Sequence, residues 1–450
     1  MSAEAARSVN IVGAGLAGAL LALLMVRRGL RVALYERRPD PRQSTPERGR
    51  SINLALAARG IRALERAGVM ERVQPLLIPM RGRMVHELSG HAALQPYGQR
   101  QDEVIYSVGR ADLNRVLIEE AARHADVSVR FNHVCLGADL QHDRLHFRDQ
   151  AGGGVREAAL TPTIATDGAG SVVRTSLASV GRVNCREDWL DHDYKELTVP
   201  AGAAGALERH ALHIWPRGGF MLIALPNADG SFTATLFLAR TGESSFAALA
   251  TAQAVTQFFQ EEFPDAVALL PELSAQFASH PQGQLGTVHA APWHVGGRVL
   301  LLGDAAHAIV PFHGQGMNAA FEDCTALDEL LAAGGDWQSL FEQFERLRRP
   351  NTEAIARMAL ENYSEMRDAV LDAAFVRRKA LAMALERRFP DRFIPRYAMV
   401  MFHPEIPYAE ALRRGEVQAR LLEELDAGDG GQPDDARAEK LITERLTPIA

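Results

Sequence analysis

Ser8 to Glu36 reads SVNIVGAGLAGALLALLMVRRGLRVALYE. A short apolar run, Val9–Val12, leads into a glycine turn. A helical stretch follows over Leu16–Arg28, then a second apolar strand, Arg31–Glu36. A strand–helix–strand start of this kind predicts an α/β protein with a parallel sheet and a right-handed crossover. Gly13, Gly15 and Gly18 stand at the spacing of a dinucleotide-binding turn. In such a turn the first glycine permits the tight bend, the second lets a pyrophosphate approach the backbone, and the third lets helix and strand pack closely. Glu36 ends the second strand about 20 residues further on, where an acid can accept a ribose 2′-OH. Its charge would repel a 2′-phosphate, so the turn suits FAD or NAD and not NADP. Against this stands a plainer reading, a solvated glutamate followed by Arg37 and Arg38.

No charged residue occurs between Ser8 and Val26, a run long enough to span a membrane. Three glycines interrupt it, Arg27 and Arg28 follow it, and no small-residue cleavage site closes it. A signal peptide carries its basic residues before the apolar run. A buried strand turning into a buried helix explains the same residues. The stretch from Gly415 to Ala450 is charged and broken by Gly and Pro, and is expected to form a polar tail without an anchor. The expectation is a soluble cytoplasmic protein.

The 450 residues allow about three domains. With 47% hydrophobic and 23% charged residues the chain has ordinary globular usage, which excludes a disordered or fibrous protein. Forty-nine Lys+Arg stand against 56 Asp+Glu, a formal net charge of −7, which does not suit a nucleic-acid binder. Cys135, Cys185 and Cys324 are far apart and odd in number, which argues against a disulfide framework or a zinc cluster.

Further along, Arg48–Gly68 (RGRSINLALAARGIRALERAG) reads as a loop passing into a helix, and Arg83–Leu88 as a strand. Asp112–His124 reads as an amphipathic helix with Asp112 as its N-cap. Leu212–Ala239 holds LHIWPRGGFMLIALP and SFTATLFLA on either side of Asn227-Ala228-Asp229-Gly230, a hairpin pattern. It predicts an antiparallel sheet layer distinct from the nucleotide-binding one. RVLLLGD, ending at Asp304, returns to the first layer as a strand buried on both faces. Asn318–Arg388 is mostly helical in composition. Together these suggest nucleotide-binding segments at 1–75, 106–180 and 291–335, a second layer at 76–105 and 181–290, and a helical region at 336–450.

Asp304, at the carboxyl end of a buried strand, can accept hydrogen bonds from a ribityl chain. The helix beginning near Gly314-Gln315-Gly316-Met317-Asn318 would favour negative charge on the pyrimidine side of a reduced flavin through its N–H groups and dipole. A capped helix start with turn glycines is the plainer account. Thr166–Gly170 (TDGAG), followed by Ser171 and Arg174, can contact phosphate or simply turn the chain. No second GxGxxG occurs, so a separate Rossmann domain for a nicotinamide is not expected.

In this order the three pieces resemble the single-component FAD-dependent aromatic hydroxylases, with a GR2-type FAD-binding fold, an inserted antiparallel substrate sheet and a helical C-terminal part. The likeness is strongest to the branch that acts on kynurenine. It is carried by Arg48–Gly60 (RGRSINLALAARG), Met80–His86 (MRGRMVH), Gln95–Gly98 (QPYG), Leu212–Pro226 and Thr235–Leu238 (TLFL). It continues through Leu301–Asn318 (LLGDAAHAIVPFHGQGMN), Leu360–Met366 (LENYSEM) and Arg392–Tyr397 (RFIPRY).

The resemblance implies bound FAD, lined by Gly13, Gly15, Ala17, Gly18, Glu36, Arg37, Arg38, Ala55, Arg110, Asp304, Gly316, Met317 and Asn318. Cys135 would make a backbone contact to it, with an inert thiol. Arg83, Tyr97, Asn362 and Tyr397 match the substrate-binding set; Asn362 is expected on a helix and Tyr397 in an extended run after Pro395. Phe237, Pro311, Phe312 and His313 would wall the ring pocket. His307 and His313 are expected as packed, neutral side chains. The implied reaction takes L-kynurenine, NADPH and O2 to 3-hydroxykynurenine, NADP+ and water through a flavin C4a-hydroperoxide, in tryptophan degradation towards quinolinate and NAD. Kynurenine is an aryl amine whose amino group already activates the position to be hydroxylated, so no catalytic side-chain base is expected. Two alternatives remain within flavin chemistry, a hydroxylase of another aromatic acid and a reductase of a non-aromatic substrate. A third, outside catalysis, is an FAD-binding regulatory protein.

Overall fold

The chain, seen in a computed structural model, is described over residues 8–43, 53–369, 372–426 and 435–449. Arg48–Ile52 of the RGRSINLALAARG motif lie outside the described residues. So do 427–434 and Ala450 of the tail. Two compact units emerge, each assembled from three chain segments: 1–78, 106–190 and 284–352 in the first, 79–105, 191–283 and 353–450 in the second.

The first unit is built on a six-stranded sheet. Ser8–Val12 pairs in parallel with Arg31–Tyr35 on one side and Thr163–Ala165 on the other. Val127–Arg130 and Val299–Leu301 extend it in parallel, and His294–Val295 adds an antiparallel edge. The Leu16–Arg27 helix is buried from Leu16 to Met25 at nearly every position. It packs against the Arg110–Ala122 and Gly316–Ala333 helices. This burial explains the uncharged run, and no helix among the described residues is long and apolar enough to cross a membrane.

Two local expectations need correction here. Asn53–Leu56 is a strand, paired antiparallel with Ile105–Gly109, where a loop was expected. The pairing runs to Gly109, which is extended and directly precedes the helix, so the helix starts at Arg110 with Gly109 at its N-cap. Asp112 therefore sits in the first turn, not at the cap.

In the second unit His192–Val199, Phe232–Ala239, Met221–Pro226 and Leu212–Pro216 form consecutive antiparallel pairs. Leu212–Pro216 then pairs in parallel with Gly82–His86, which turns back onto Ala92–Pro96. The expected turn at 227–230 closes through the Asn227 N–H to the Ser231 carbonyl, with Gly230 at φ +85. The run LHIWPRGGFMLIALP is two strands, because Gly218 and Gly219 take positive φ and reverse the chain. Leu88 lies in a turn beyond the Gly82–His86 strand and is exposed. One sheet face buries Trp215, Leu222, Phe232 and Leu236 with Phe259, Phe263 and Phe277 of the helices that follow. The C-terminal helices Ala373–Arg388, Tyr408–Asp426 and Asp435–Arg445 share a small apolar core around Phe393, Leu421 and Ile442, and Arg396–Phe402 belongs to the same unit. Much of the stretch expected as a polar tail is thus packed helix, because Leu421, Leu425, Leu441 and Ile442 fall on buried faces.

Candidate functional site

Each unit gathers its own set of the expected residues. In the first, the glycine turn divides by function. A Cβ on Gly13 would meet the Thr166 carbonyl oxygen at 2.6 Å, and one on Gly18 would meet the Gly13 oxygen at 1.9 Å. On Gly15 it would meet nothing within 4 Å. Gly13 and Gly18 are thus fixed by close backbone packing, whereas Gly15 opens space at the start of the Leu16–Arg27 helix. That cradle fits a pyrophosphate at a helix N-terminus. Thr166 donates its hydroxyl to the Gly13 carbonyl at 2.8 Å, a support for the turn that no spacing rule exposes.

Glu36 is buried, and its oxygens accept the Ala14 N–H and the Arg38 N–H, both at 2.9 Å. Two such bonds leave lone pairs on both oxygens for hydroxyl donors. Arg37 and Arg38 are exposed, as is Arg110 at its helix start; Ala17 and Ala55 are partly exposed. Asp304 heads a single helical turn directly after the apolar strand and keeps partial exposure. The long helix begins at Gly316 with no side chain capping its first N–H groups, and Met317 is partly exposed beside it. Asn318 is spent within the protein: its Oδ1 accepts the Ala57 N–H at 2.9 Å, and its Nδ2 donates to the Ala55 and Gly314 carbonyls. Only its backbone remains to face a ligand. Cys135 lies on the His133–Asp139 strand, where burial pushes its thiol up to about 12, so it stays protonated.

The segment Thr166–Gly170 turns the chain into the Val172–Ser179 helix, with Ser171 at its N-cap. Asp167 accepts the Ser171 hydroxyl at 2.5 Å and the Val173 N–H at 3.3 Å, and buried Arg174 donates to the Ala305 and Ala169 carbonyls. His307 is packed against Trp293, with its Nε2 at 2.5 Å from the buried Asp323 carboxylate. That partner was not foreseen. Pro311–His313 form a short 3-10 turn in this first unit, with Phe312 and His313 buried. Phe237 lies buried on a strand of the second unit.

The second unit brings Arg83, Tyr97, Asn362 and Tyr397 together. Arg83 is 5% exposed, and its guanidinium lies 5.0 Å from the Tyr397 ring centre and 5.9 Å from that of Tyr97. The two rings stack at 5.6 Å. Arg83 Nη2 reaches Asn362 Oδ1 at 3.4 Å and Nη1 reaches Glu365 Oε1 at 3.2 Å. Burial raises both phenols above their ordinary range, so each keeps its O–H proton. Asn362 lies on the Trp337–Ser364 helix, just before a π-helical turn at Glu365–Ala369. Tyr397 lies on a helix and not in an extended run, because Pro395 occupies the N-cap of Arg396–Phe402. Proline starts helices readily, since its missing N–H has no partner to lose there. Reasoning on the sequence missed Glu365 and Lys379. Lys379 donates to Gln95 at 3.3 Å, and burial, then the charge of Arg83, pushes its ammonium down to about 8. Nothing in a charged helical sequence marks either residue. Among the described residues no group of His, Cys, Asp and Glu is arranged to hold a metal ion.

Residues 6–359 match the FAD binding domain family. The chain is 46% identical to a kynurenine 3-monooxygenase of Myxococcus xanthus, covering 100% of this chain and 97% of that one. It is 49% identical to a kynurenine 3-monooxygenase of Stenotrophomonas maltophilia, covering 94% and 93%. Among solved structures, 2-methyl-3-hydroxypyridine-5-carboxylic acid oxygenase superposes with a TM-score of 0.66 at 21% identity, over 84% of this chain and 97% of that one. The p-nitrophenol 4-monooxygenase of Pseudomonas putida gives 0.65 at 18% identity, over 94% and 100%. These two establish the fold alone. With the glycine turn, the Asp304 strand end and the full-length identities in agreement, the chain belongs to the FAD-binding-domain family of flavin monooxygenases, in the group of the kynurenine 3-monooxygenases.

Proposed function

We propose that this protein hydroxylates L-kynurenine to 3-hydroxykynurenine with NADPH and O2, using bound FAD. The observation that carries the substrate assignment is the buried guanidinium of Arg83, flanked by two protonated tyrosines and Asn362. A buried arginine offers a carboxylate two parallel donors in fixed geometry, and phenol O–H groups beside it add donors without adding charge. This suits the amino-acid end of kynurenine and leaves the aryl amine to extend away from it.

FAD would lie along the first unit, its pyrophosphate at Gly15, its adenosine ribose on Glu36 and its ribityl chain on Asp304. The N-terminus of the Gly316–Ala333 helix would face its pyrimidine side. When bound, the flavin supplies the acceptance of hydride from NADPH and the activation of O2. The protein's part is to orient the substrate and exclude water. The substrate's own amino group raises electron density at the ring carbon to be hydroxylated, so no residue need remove a proton first.

The test is one coupled assay. The purified yellow protein, given kynurenine and NADPH, should consume oxygen and form 3-hydroxykynurenine in step. Turnover with a phenolic acid but not kynurenine would make it a hydroxylase of another aromatic acid. Flavin binding without kynurenine-dependent NADPH oxidation would make it a non-catalytic FAD-binding protein.

A further inference from the structure

The turn that carries Asp304 is held by a carboxylate to which the proposed function gives no role. Gly303 adopts φ 62, ψ −140, a conformation open to glycine and closed to residues that carry a Cβ. Its carbonyl accepts the Ala306 and His307 N–H groups at 2.8 and 2.9 Å. Its own N–H donates to Asp323 Oδ2 at 3.1 Å. The same oxygen takes His307 Nε2 at 2.5 Å, so Gly303, His307 and Asp323 form a closed ring. Arg348 Nε holds the other oxygen at 2.7 Å, which stops the carboxylate rotating. Glu322 pairs with Arg348 at 2.6 Å and with Arg59 at 2.5 Å, tying the arrangement to the next helix. Asp323 is fully buried. Burial pulls its pKa up, but its pairing with His307 and Arg348 outweighs that and holds it below the ordinary carboxylate value.

Buried ion pairs contribute little net stability compared with well-packed apolar side chains, so this arrangement calls for another function. We infer that Asp323 is a positioning residue for the flavin: it sets the Gly303–Asp304 turn against the helix that begins at Gly316, and so fixes the Asp304 carboxylate for FAD. The inference rests on the placement of FAD proposed above. An isosteric amide makes the point testable. Asp323→Asn has one acceptor oxygen and one NH2 group, so it cannot satisfy Arg348 while also accepting from Gly303 and His307. It breaks the ring without opening a cavity.

The experiment titrates apo-protein with FAD, reading flavin fluorescence quenching, the visible flavin spectrum and thermal unfolding. Asp323→Asn should raise the FAD dissociation constant at least tenfold and shift the spectrum of the bound flavin. The control is Asp328→Asn on the same helix, whose carboxylate is buried between Arg28 and Arg66. It should lose comparable thermal stability yet bind FAD within about twofold of wild type. His307→Leu, which removes the Nε2 donor at similar volume, should weaken FAD binding about threefold or more, and carries the test alone if Asp323→Asn is insoluble. FAD affinity within twofold of wild type in Asp323→Asn, or unchanged in His307→Leu, overturns the inference. An equal loss in Asp328→Asn does so too, since the effect is then one of general stability. Wild type failing to bind FAD, or Asp304→Ala binding it normally, overturns instead the FAD placement on which the inference rests.

Discussion

Glu36 accepts one backbone N–H on each oxygen, so its carboxylate is already oriented for the ribose proposed to bind there. A charge-assisted hydrogen bond contributes about 1.5–3 kcal/mol, or about 10- to 150-fold in affinity. Glu36→Ala should therefore purify depleted in FAD, bind it more weakly by that factor, and recover activity in excess FAD; full occupancy at unchanged affinity would refute the role. The same range applies to Arg83→Met and kynurenine, with bound FAD intact. An analogue lacking the carboxylate should bind wild type and mutant alike, and an analogue that loses as much affinity as kynurenine does would show that Arg83 is not the carboxylate anchor. These two residues differ in how visible they are. Glu36 is readable because its partners lie in one strand–turn–strand unit and the interval is set by local geometry. Arg83, Tyr97, Asn362 and Tyr397 come from four separated segments, and only the family resemblance picks them out.

At the level of elements, periodicity served where one element had one environment. It read the Leu16–Arg27 helix and the Phe232–Ala239 strand closely. It failed at Arg217–Phe220, where an apolar run continues across a reversal made by two glycines, and at Asn53–Leu56, a four-residue strand too short to show alternation. On the Ala373–Arg388 helix, Lys379 follows Arg377 and Arg378, and nothing in that run of charges marks its surroundings. Its ammonium is in fact depressed to about 8 by burial and by Arg83. In the unfolded chain a lysine titrates near 10.4. Between those values the unfolded state holds the proton that the folded state has lost, so the stability contribution of Lys379 rises with pH there. Below about pH 8 both states are protonated and the cost of burying the charge is fully present. Lys379→Met should thus be more stable than wild type at pH 7, and its advantage should shrink as pH rises from about 8 towards 10. Denaturant unfolding of both proteins across that range tests this; a constant difference would show that Lys379 titrates normally.

Across the molecule, each unit is assembled from three segments. The order of motifs along the chain therefore indicates the layers but not which side chains meet. Fold class was legible because the parallel sheet, the returning RVLLLGD strand and the hairpin layer each leave a local pattern. The Gly303–His307–Asp323 ring was not, since it joins a strand exit to a helix interior by contacts no periodicity encodes. That ring bears on the reaction as a whole. A histidine in a flavin site invites the role of general base, and His307 and His313 are both buried near residues expected to line the flavin or the ring. His307, however, is committed through Nε2 to Asp323, and an aryl amine needs no deprotonation to become nucleophilic at the neighbouring ring carbon. Single-turnover hydroxylation by His307→Ala and His313→Ala, measured at saturating FAD, should persist in both. His307→Ala should show its main defect in flavin affinity, because it removes one side of the ring that holds Asp304. General-base removal costs about a hundred- to ten-thousandfold in the chemical step. A loss beyond about a thousandfold in either variant, with flavin fully loaded, would mean that a histidine takes a proton during hydroxylation and that the amine alone does not activate the ring.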